Sequence, residues 1–537
     1  MYAADALMAT SLPSAPSRRD LVPVLLVGVG VVLAWWTLEA RALGGRPGFP
    51  LDDSWIHLAF ARSLAEGHGL AVNPGELVAG STSPLWTALL SILFLLPGAL
   101  PIFGTKLLGA ALYLATATAS WRLAGTLGLS RGQAVLAALA TLGTGWLAWS
   151  ALSGMEVTLF AFLSLAGLDL AIRERRDETR PPIALAVLGL AALARPEGLL
   201  LVVLAACDRL FRFRRAGGGW PQWAPPTRAS LGRVMLGLGA AAILVVPVVA
   251  FNVAVGGTPL PSTFVAKAGP GGARGLPNLH YLATVLGIVF RPMPWATLAA
   301  VAGALALWRR RGTAADRGLL LALWVLGLPL AYSFLAAEGL APVVGNFGRY
   351  YFPLLPALAV LGVYALAGLQ LRGVAAFLGA LVFLAPAWAT LPSEARLYAT
   401  NVRNVDQTDV AMVGYLGRRL PAEAVIALVD LGAVSFFLPN PVLDLGGIAN
   451  PEVPRYGARA AAAGGSYFDG AMMFLAERKP DYILSFPAWM PIDEARFPRV
   501  HAVRIPDNVT MAGSELVLYA TPWTRFPLRP TPEASRP

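Results

Sequence analysis

The sequence predicts a polytopic α-helical membrane protein of about eleven crossings with an extracytoplasmic α/β domain at its C-terminal end. Three observations lead there. Apolar side chains make up 56% of the 537 residues and charged ones only 14%, with a mean hydropathy of +0.61. A soluble chain carries roughly a quarter charged residues. Apolar runs close to the roughly twenty residues that span a bilayer recur from residue 21 to residue 391. From Pro392 onward charges return, and short strand-like runs alternate with helical ones.

The first apolar run, 21–38, follows a polar segment ending in Arg18 and Arg19. It is too long for a signal-peptide core and lacks a good cleavage site, so it reads as an uncleaved first helix starting in the cytoplasm. Trp35 and Trp36 lie near its outer end, where interfacial aromatics belong. The external first loop is expected over 42–104. Within it, 85–96 is apolar but short and bounded by Pro97 and Gly98. If that stretch lies flat in the interface, Arg173, Arg175 and Arg176 fall in the cytoplasm; if it spans, they fall outside. The positive-inside rule selects the first arrangement.

Helices are then expected at 106–123, 133–150 and 157–172. The block 183–210 is interrupted by Arg195-Pro196-Glu197-Gly198, which cannot continue an ordinary helix in lipid. It reads as two short helices meeting at an outward-facing turn. Helices at 234–255, 294–307, 318–335, 351–366 and 374–391 complete the set, with external loops at 256–290 and 336–349. The division is therefore a membrane domain, 1–391, and an external α/β domain, 392–537. In the latter, strands are expected at 424–429, 434–438, 442–445, 482–486, 501–505 and 516–520, helices at 409–420 and 470–478, and a mobile Pro-rich tail after Thr521.

The formal charge of +11 does not indicate a nucleic-acid partner. The arginines cluster in short loops between apolar runs, as topology-setting charges do. The single cysteine, Cys207, excludes an internal disulfide and a cysteine metal site. No Walker loop, GxGxxG, HExxH or CxxC occurs, which argues against nucleotide-driven transport and zincin-type proteolysis.

The unusual polar groups all fall on the outer side: Asp52, Asp53, His57, Glu156, Arg195, Glu197, Asn252, Lys267, Glu338, Asn346 and Arg349. Acids and bases converging at one membrane face are what a buried active site needs. Asp52 and Asp53 lead the candidates, because carboxylates beside a membrane helix are costly to desolvate. One can act as general base on a hydroxyl or help ligate a divalent metal. Adjacent side chains point apart, so one is expected to act and the other to orient a neighbour. The alternative is a helix N-cap. His57 belongs on the same helix face, as a phosphate or metal ligand or a structural hydrogen-bonding group. Gly80-Ser81-Thr82-Ser83-Pro84 offers hydroxyls and amides for an anion, or an ordinary cap. Arg349 and Tyr350 suit a lipid phosphate at the interface, or simple anchoring. Lys267 is a second phosphate candidate or a solvated loop lysine. Arg195 and Glu197 can pair with each other, and Glu156 can support the site or cap a helix.

Asp52-Asp53-Ser54-Trp55-Ile56, Phe60-Ala61-Arg62, Gly67-His68-Gly69, Asn73-Pro74-Gly75-Glu76 and Ser83-Pro84-Leu85-Trp86, with Ser153-Gly154-Met155-Glu156, Arg195-Pro196-Glu197-Gly198 and Arg349-Tyr350, resemble the GT-C superfamily of polyprenyl-phosphate-sugar glycosyltransferases. The likeness is to the branch holding the terminal arabinofuranosyltransferases of mycobacterial cell walls. It is specific over 52–86 and loose in the C-terminal domain. It implies that Asp53 or Asp52 deprotonates an acceptor hydroxyl, which attacks the donor carbon opposite the polyprenyl phosphate with inversion. It also implies that Arg349 holds the donor phosphate. His57 departs from branches with an aliphatic or aromatic residue there. Some members need a divalent cation and others do not, so a cofactor is left open.

The resulting expectation is a multi-pass inner-membrane glycosyltransferase, its N-terminus cytoplasmic and its C-terminal domain extracytoplasmic. It would move a sugar from a polyprenyl-phosphate donor to a glycan, lipid or protein acceptor, with no nucleic acid involved. The rivals are a transporter or flippase, and a lipid-to-polymer oligosaccharide ligase. The former would show midplane charges and repeat symmetry, neither of which is evident.

Overall fold

The computed structural model describes residues 17–97, 100–214, 222–263, 277–312, 316–335 and 345–530. Helix α1 (Leu21–Ala42) leads into a loop containing α2 (Asp52–Ala65) and α3 (Pro84–Leu95). The chain continues through α4 (Pro101–Thr126), α5 (Arg131–Leu142), α6 (Gly145–Leu152) and α7 (Val157–Arg176). The short α8 (Ala184–Ala194) and α9 (Gly198–Leu210) meet at the Arg195–Glu197 turn, as expected from its proline and charges. Strands β1 (Arg212–Arg214) and β2 (Gln222–Ala224) pair antiparallel before α10 (Arg228–Gly256). Then come α11 (Leu279–Phe290), α12 (Pro294–Arg309), α13 (Leu320–Leu335), a 3₁₀ segment (Gly345–Leu354), α14 (Leu355–Ala367) and α15 (Gly373–Val405).

Among the described residues, five helices are long and apolar enough to cross a membrane. The number rises to seven if α5 with α6, bent by 59°, and α11 with α12, bent by 114°, each count as one span. Eleven is not reached on length and composition. At 11 and 13 residues, α8 and α9 rise only about 17–20 Å each. Helix α11 lies where a loop was expected; its 12 residues are too few for a span-length pattern to register.

Helix α15 differs most. Its expected end at 391 is passed, and it runs 33 residues through Pro386 and Pro392. That is about 50 Å, against about 30 Å of hydrocarbon. The expected domain boundary therefore falls inside a continuous helix. Beyond it lie α16 (Ala411–Arg419), β3 (Ile426–Leu428), α17 (Gly432–Phe437), β4 (Val442–Asp444), α18 (Val453–Ala462), α19 (Tyr467–Arg478), β5 (Tyr482–Ser485), β6 (Arg499–Arg504) and β7 (Glu515–Ala520). The sheet order is β4-β3-β5-β7-β6. The first three strands are parallel and the last two antiparallel. The strand expected at 434–438 is the helix α17 instead. It forms part of the crossover that the parallel β3–β4 pairing requires.

The apolar core of this domain does not stop at its own residues. Trp55, Ile56, Leu58, Ala59 and Phe60 of α2 pack in one cluster with Ile426, Leu428, Val434, Phe436, Tyr482 and Leu518. Each large side chain fully buried there stabilises the arrangement by roughly 1.5–3 kcal/mol. The first loop is thus folded onto the C-terminal domain.

Candidate functional site

Helix α2 begins at Asp52, straight after an extended Leu51. Asp53, Ile56, His57 and Phe60 project from one face of it, at the i, i+3, i+4, i+7 spacing of a helical stripe. All four line a cavity of about 670 Å³ measured out to its mouth. The rest of the wall comes from Gly80, Ser81 and Thr82, Met155 and Glu156, Arg195 to Glu197, Thr263, Tyr332, Arg349 with Tyr350, and Ile448 of the C-terminal domain.

Of the expected site residues, Asp53, His57, Glu156, Arg195, Glu197, Arg349 and Tyr350 therefore meet in one place. Asp52 is not in the wall. Its carboxylate accepts from the backbone N–H groups of Gly432 (2.5 Å) and Ala433 (2.7 Å) at the start of α17. Lys267 and Glu338 lie outside the described residues, as does the side chain of Asn346. Asn252 donates to the carbonyl of Pro259 at 3.3 Å and takes no part in the wall.

Arg349 is 2% exposed and ion-paired to Asp53 through one terminal nitrogen. Among the described residues its Nε and Nη1 are buried without a hydrogen-bond partner. The Tyr350 ring lies 5.7 Å from its guanidinium carbon. Across the cavity Arg195, 5% exposed, donates to Glu156 and, at 2.6 Å, to Glu197. Glu197 also accepts from the Tyr332 hydroxyl at 2.7 Å. The Arg195 guanidinium carbon sits 4.9 Å from the Tyr350 ring centre. His57 Nε2 is 3.2 Å from Glu156 Oε2. Withdrawal from water disfavours the Glu156 charge, but Arg195, His57 and Arg349 together outweigh this and hold it well below the usual carboxylate range.

The Glu156 loop is held from three sides. Ser54 Oγ donates to the Ser153 carbonyl at 2.6 Å, and Trp86 Nε1 to that of Gly154 at 2.9 Å. Gly154 has φ +80°, and a Cβ there would meet Phe49 and Ser54. Beneath it, Lys106 is fully buried and donates to Glu39 (2.8 Å), the Leu152 carbonyl (3.0 Å) and Tyr398 (2.8 Å). Glu39 accepts in turn from the Gly48 N–H at 3.0 Å.

Sequence reasoning missed Tyr332, Ile448 and the Glu39–Lys106–Tyr398 group. Glu39 and Lys106 stand at the ends of the apolar runs 21–38 and 106–123, where a charge reads as an ordinary helix terminus. Tyr332 sits in an apolar helix and Ile448 in a distant domain, so neither carries a local signal.

Outside the cavity, burial first, then the nearby Asp53 and Asp444, lift Asp52 to about 7 against the pull of the Ala433 and Gly432 amides. Asp430 is pushed well above its usual range by burial and by Asp52, Asp53 and Asp444. Among the described residues no group of three or more His, Cys, Asp or Glu side chains is arranged to hold a metal ion.

A second, apolar groove lies nearby, lined by Leu282, Val285, Val289, Leu326, Leu330 and Leu358 among others. Tyr281, at the start of α11, contacts the hydroxyl of Tyr351, and Tyr332 packs on the Tyr350 and Tyr351 rings. A layer of tyrosines thus joins the groove to the polar cavity.

Residues 396–526 match a family profile described as a domain of unknown function (DUF8728). No curated protein matches the chain. Among solved structures, ArnT from Cupriavidus metallidurans in the apo state superposes with a TM-score of 0.56 at 14% identity, covering 92% of this chain and 97% of that one. The Archaeoglobus fulgidus oligosaccharyltransferase tethered with an acceptor peptide gives 0.52 at 13% identity, covering 85% and 69%. Arabinofuranosyltransferase AftD from Mycobacteria gives 0.52 at 18% identity, covering 95% of this chain but 40% of AftD. The expected resemblance to the GT-C superfamily is met at the level of fold, which is what the likeness to these three structures shows.

Proposed function

We propose that the chain is an integral-membrane glycosyltransferase that takes a sugar from a polyprenyl-phosphate carrier and adds it to an extracytoplasmic glycan, lipid or protein. The observation that carries this is Arg349. It is a buried guanidinium with two nitrogens that find no partner among the described residues at a cavity wall, and a carboxylate on the third. Such a fork suits a phosphate diester. The apolar groove beyond the tyrosines suits the carrier's hydrocarbon tail. Of the structural neighbours, ArnT is also known bound to undecaprenyl phosphate, in a structure similar to this chain with a TM-score of 0.55.

In this reading Asp53 is the general base. It takes the proton of the acceptor hydroxyl as that oxygen bonds to the donor carbon. The bond from that carbon to the phosphate oxygen breaks, and its electron pair leaves on the phosphate, where Arg349 stabilises the charge. The configuration inverts. Glu156, Arg195, Glu197 and His57 form the wall that orients the sugar, and Lys267 is a second phosphate ligand. The membrane part crosses eleven times in the inner membrane, with the C-terminal domain outside.

The test is reconstitution in liposomes with a panel of polyprenyl-phosphate sugars and envelope acceptors. Transfer by the native chain, reduced by on the order of 10²–10⁴-fold in Asp53→Asn, is expected. Full transfer by Asp53→Asn would remove the base.

A further inference from the structure

Helix α17 is gripped at both ends by α2. Its first amides, from Gly432 and Ala433, donate to the two oxygens of Asp52 at 2.5 and 2.7 Å. Its last carbonyls, of Ser435 and Phe436, accept from the Arg62 guanidinium at 3.0 and 2.6 Å. A carboxylate at the amide end and a guanidinium at the carbonyl end match the groups a short helix leaves unsatisfied. Between them Trp55 packs on Phe436 and Phe437, with ring centres 5.4 and 4.8 Å away. Asp52, Trp55, Ala59 and Arg62 form a stripe neighbouring the one that lines the cavity.

The contact continues to the cavity itself. Asn73 exchanges two hydrogen bonds with the backbone of Val442, each 3.0 Å. The turn after β4 is shaped by Asp444, which accepts from the amides of Gly446, Ile448 and Ala449. That turn places Ile448 in the cavity wall, and its carbonyl accepts from Ser262 at 3.1 Å.

We infer that Asp52 is a positioning residue: by holding α17 it locks α2 to the C-terminal domain and so sets where Asp53 and Ile448 meet at the cavity. The inference rests on the reading of that cavity as the donor site. It assigns Asp52 no proton transfer. It also makes the C-terminal domain part of the site rather than an appended module.

The side-chain chemistry makes a discriminating test. Both Asp52 oxygens accept, so asparagine, the isostere, offers one acceptor and turns an N–H donor against a backbone N–H. Glutamate is larger but keeps two acceptors. A role in packing alone would spare Asp52→Asn and harm Asp52→Glu; the inferred role orders them the other way. The full chain in nanodiscs at about pH 8.5, where the Asp52 carboxyl has lost its proton, is followed by hydrogen exchange over 432–437 and by titration with undecaprenyl phosphate. Asp52→Asn is expected to speed exchange there by about tenfold or more, with the membrane helices unchanged. Undecaprenyl phosphate should bind several-fold more weakly, and Asp52→Glu should lie nearer the native chain in both readouts. Asp53→Asn should leave 432–437 protected. Unchanged exchange in Asp52→Asn, or greater loosening in Asp52→Glu, overturns the inference. If the native chain does not bind undecaprenyl phosphate, the donor-site reading falls, while the exchange data still decide whether Asp52 holds α17.

Discussion

Replacing Arg349 with glutamine should separate phosphate recognition from tail binding. The native guanidinium is 2% exposed and spends one nitrogen on Asp53, leaving Nε and Nη1 for a ligand. Hydrogen bonds to charged groups contribute about 1.5–3 kcal/mol each. Two of them amount to about 3–6 kcal/mol, or on the order of 10²–10⁴-fold in affinity. That loss should fall on the phosphate alone, since the apolar groove is lined by other residues. The assay compares undecaprenyl phosphate with uncharged undecaprenol in nanodiscs, by native mass spectrometry or fluorescence. The native chain should prefer the phosphate strongly, and Arg349→Gln should lose most of that preference. Arg349→Lys should recover the charge but not the fork, and so lie between them. An unchanged preference in Arg349→Gln would show that the phosphate is recognised elsewhere.

Asp53→Asn should retain undecaprenyl phosphate binding while losing transfer, a split that equilibrium binding and single-turnover rates would resolve. Lys106→Met leaves Glu39 buried without its cation and should destabilise by about 3–5 kcal/mol. The Glu39→Gln, Lys106→Met pair should recover much of that, and a double-mutant cycle in detergent unfolding reads the coupling; additive losses would refute it. Asp52 and Asp444, at about 7 and about 6 against an ordinary 3.8, hold protons in the folded domain that the unfolded chain has released. Stability should therefore fall as pH rises from about 4 through 7, by roughly 1.4 kcal/mol per unit of separation. Unfolding of the native chain at pH 5 and pH 8 checks the sign, and Asp430→Asn should flatten the dependence. A reporter fused after Arg372 should be active in the cytoplasm and one fused after Arg419 outside; the reverse would invert the topology.

The sequence disclosed the site better than the fold that carries it. Asp53, His57, Glu156, Arg195, Glu197 and Arg349 stood out because charge near lipid is costly, and with Tyr350 they share one wall. The Arg195–Glu197 break was legible for the same reason as any proline in an apolar run. Helix α11 was not, since 12 residues fall below the length a span needs. The end of α15 was misplaced because Pro392 and the return of charge read as a boundary, whereas a helix leaving the membrane tolerates both. The 434–438 run is apolar enough for a strand, and only its place between two parallel strands makes it a helix. Asp52 looked equivalent to Asp53 in sequence, and nothing local marks α17, almost 400 residues on, as its partner.

The division between the two aspartates follows from helix geometry. Successive residues on an α-helix point about 100° apart. A helix that starts at Asp52 must therefore send its first two carboxylates to different neighbours. One stripe, Asp53, Ile56, His57 and Phe60, faces the cavity. The next, Asp52, Trp55, Ala59 and Arg62, faces α17 and the core behind it. Moving the sequence one position along α2 would carry Trp55 toward the cavity and leave a polar side chain in the apolar core. The register is held by burial of the Trp55 side together with the Asp52 and Arg62 contacts to α17. The cavity side is then free to carry an ion pair and a histidine whose cost the rest of the helix offsets. An adjacent Asp pair at a helix start can thus serve chemistry and architecture at once, with exchange over 432–437 reading one member and sugar transfer the other.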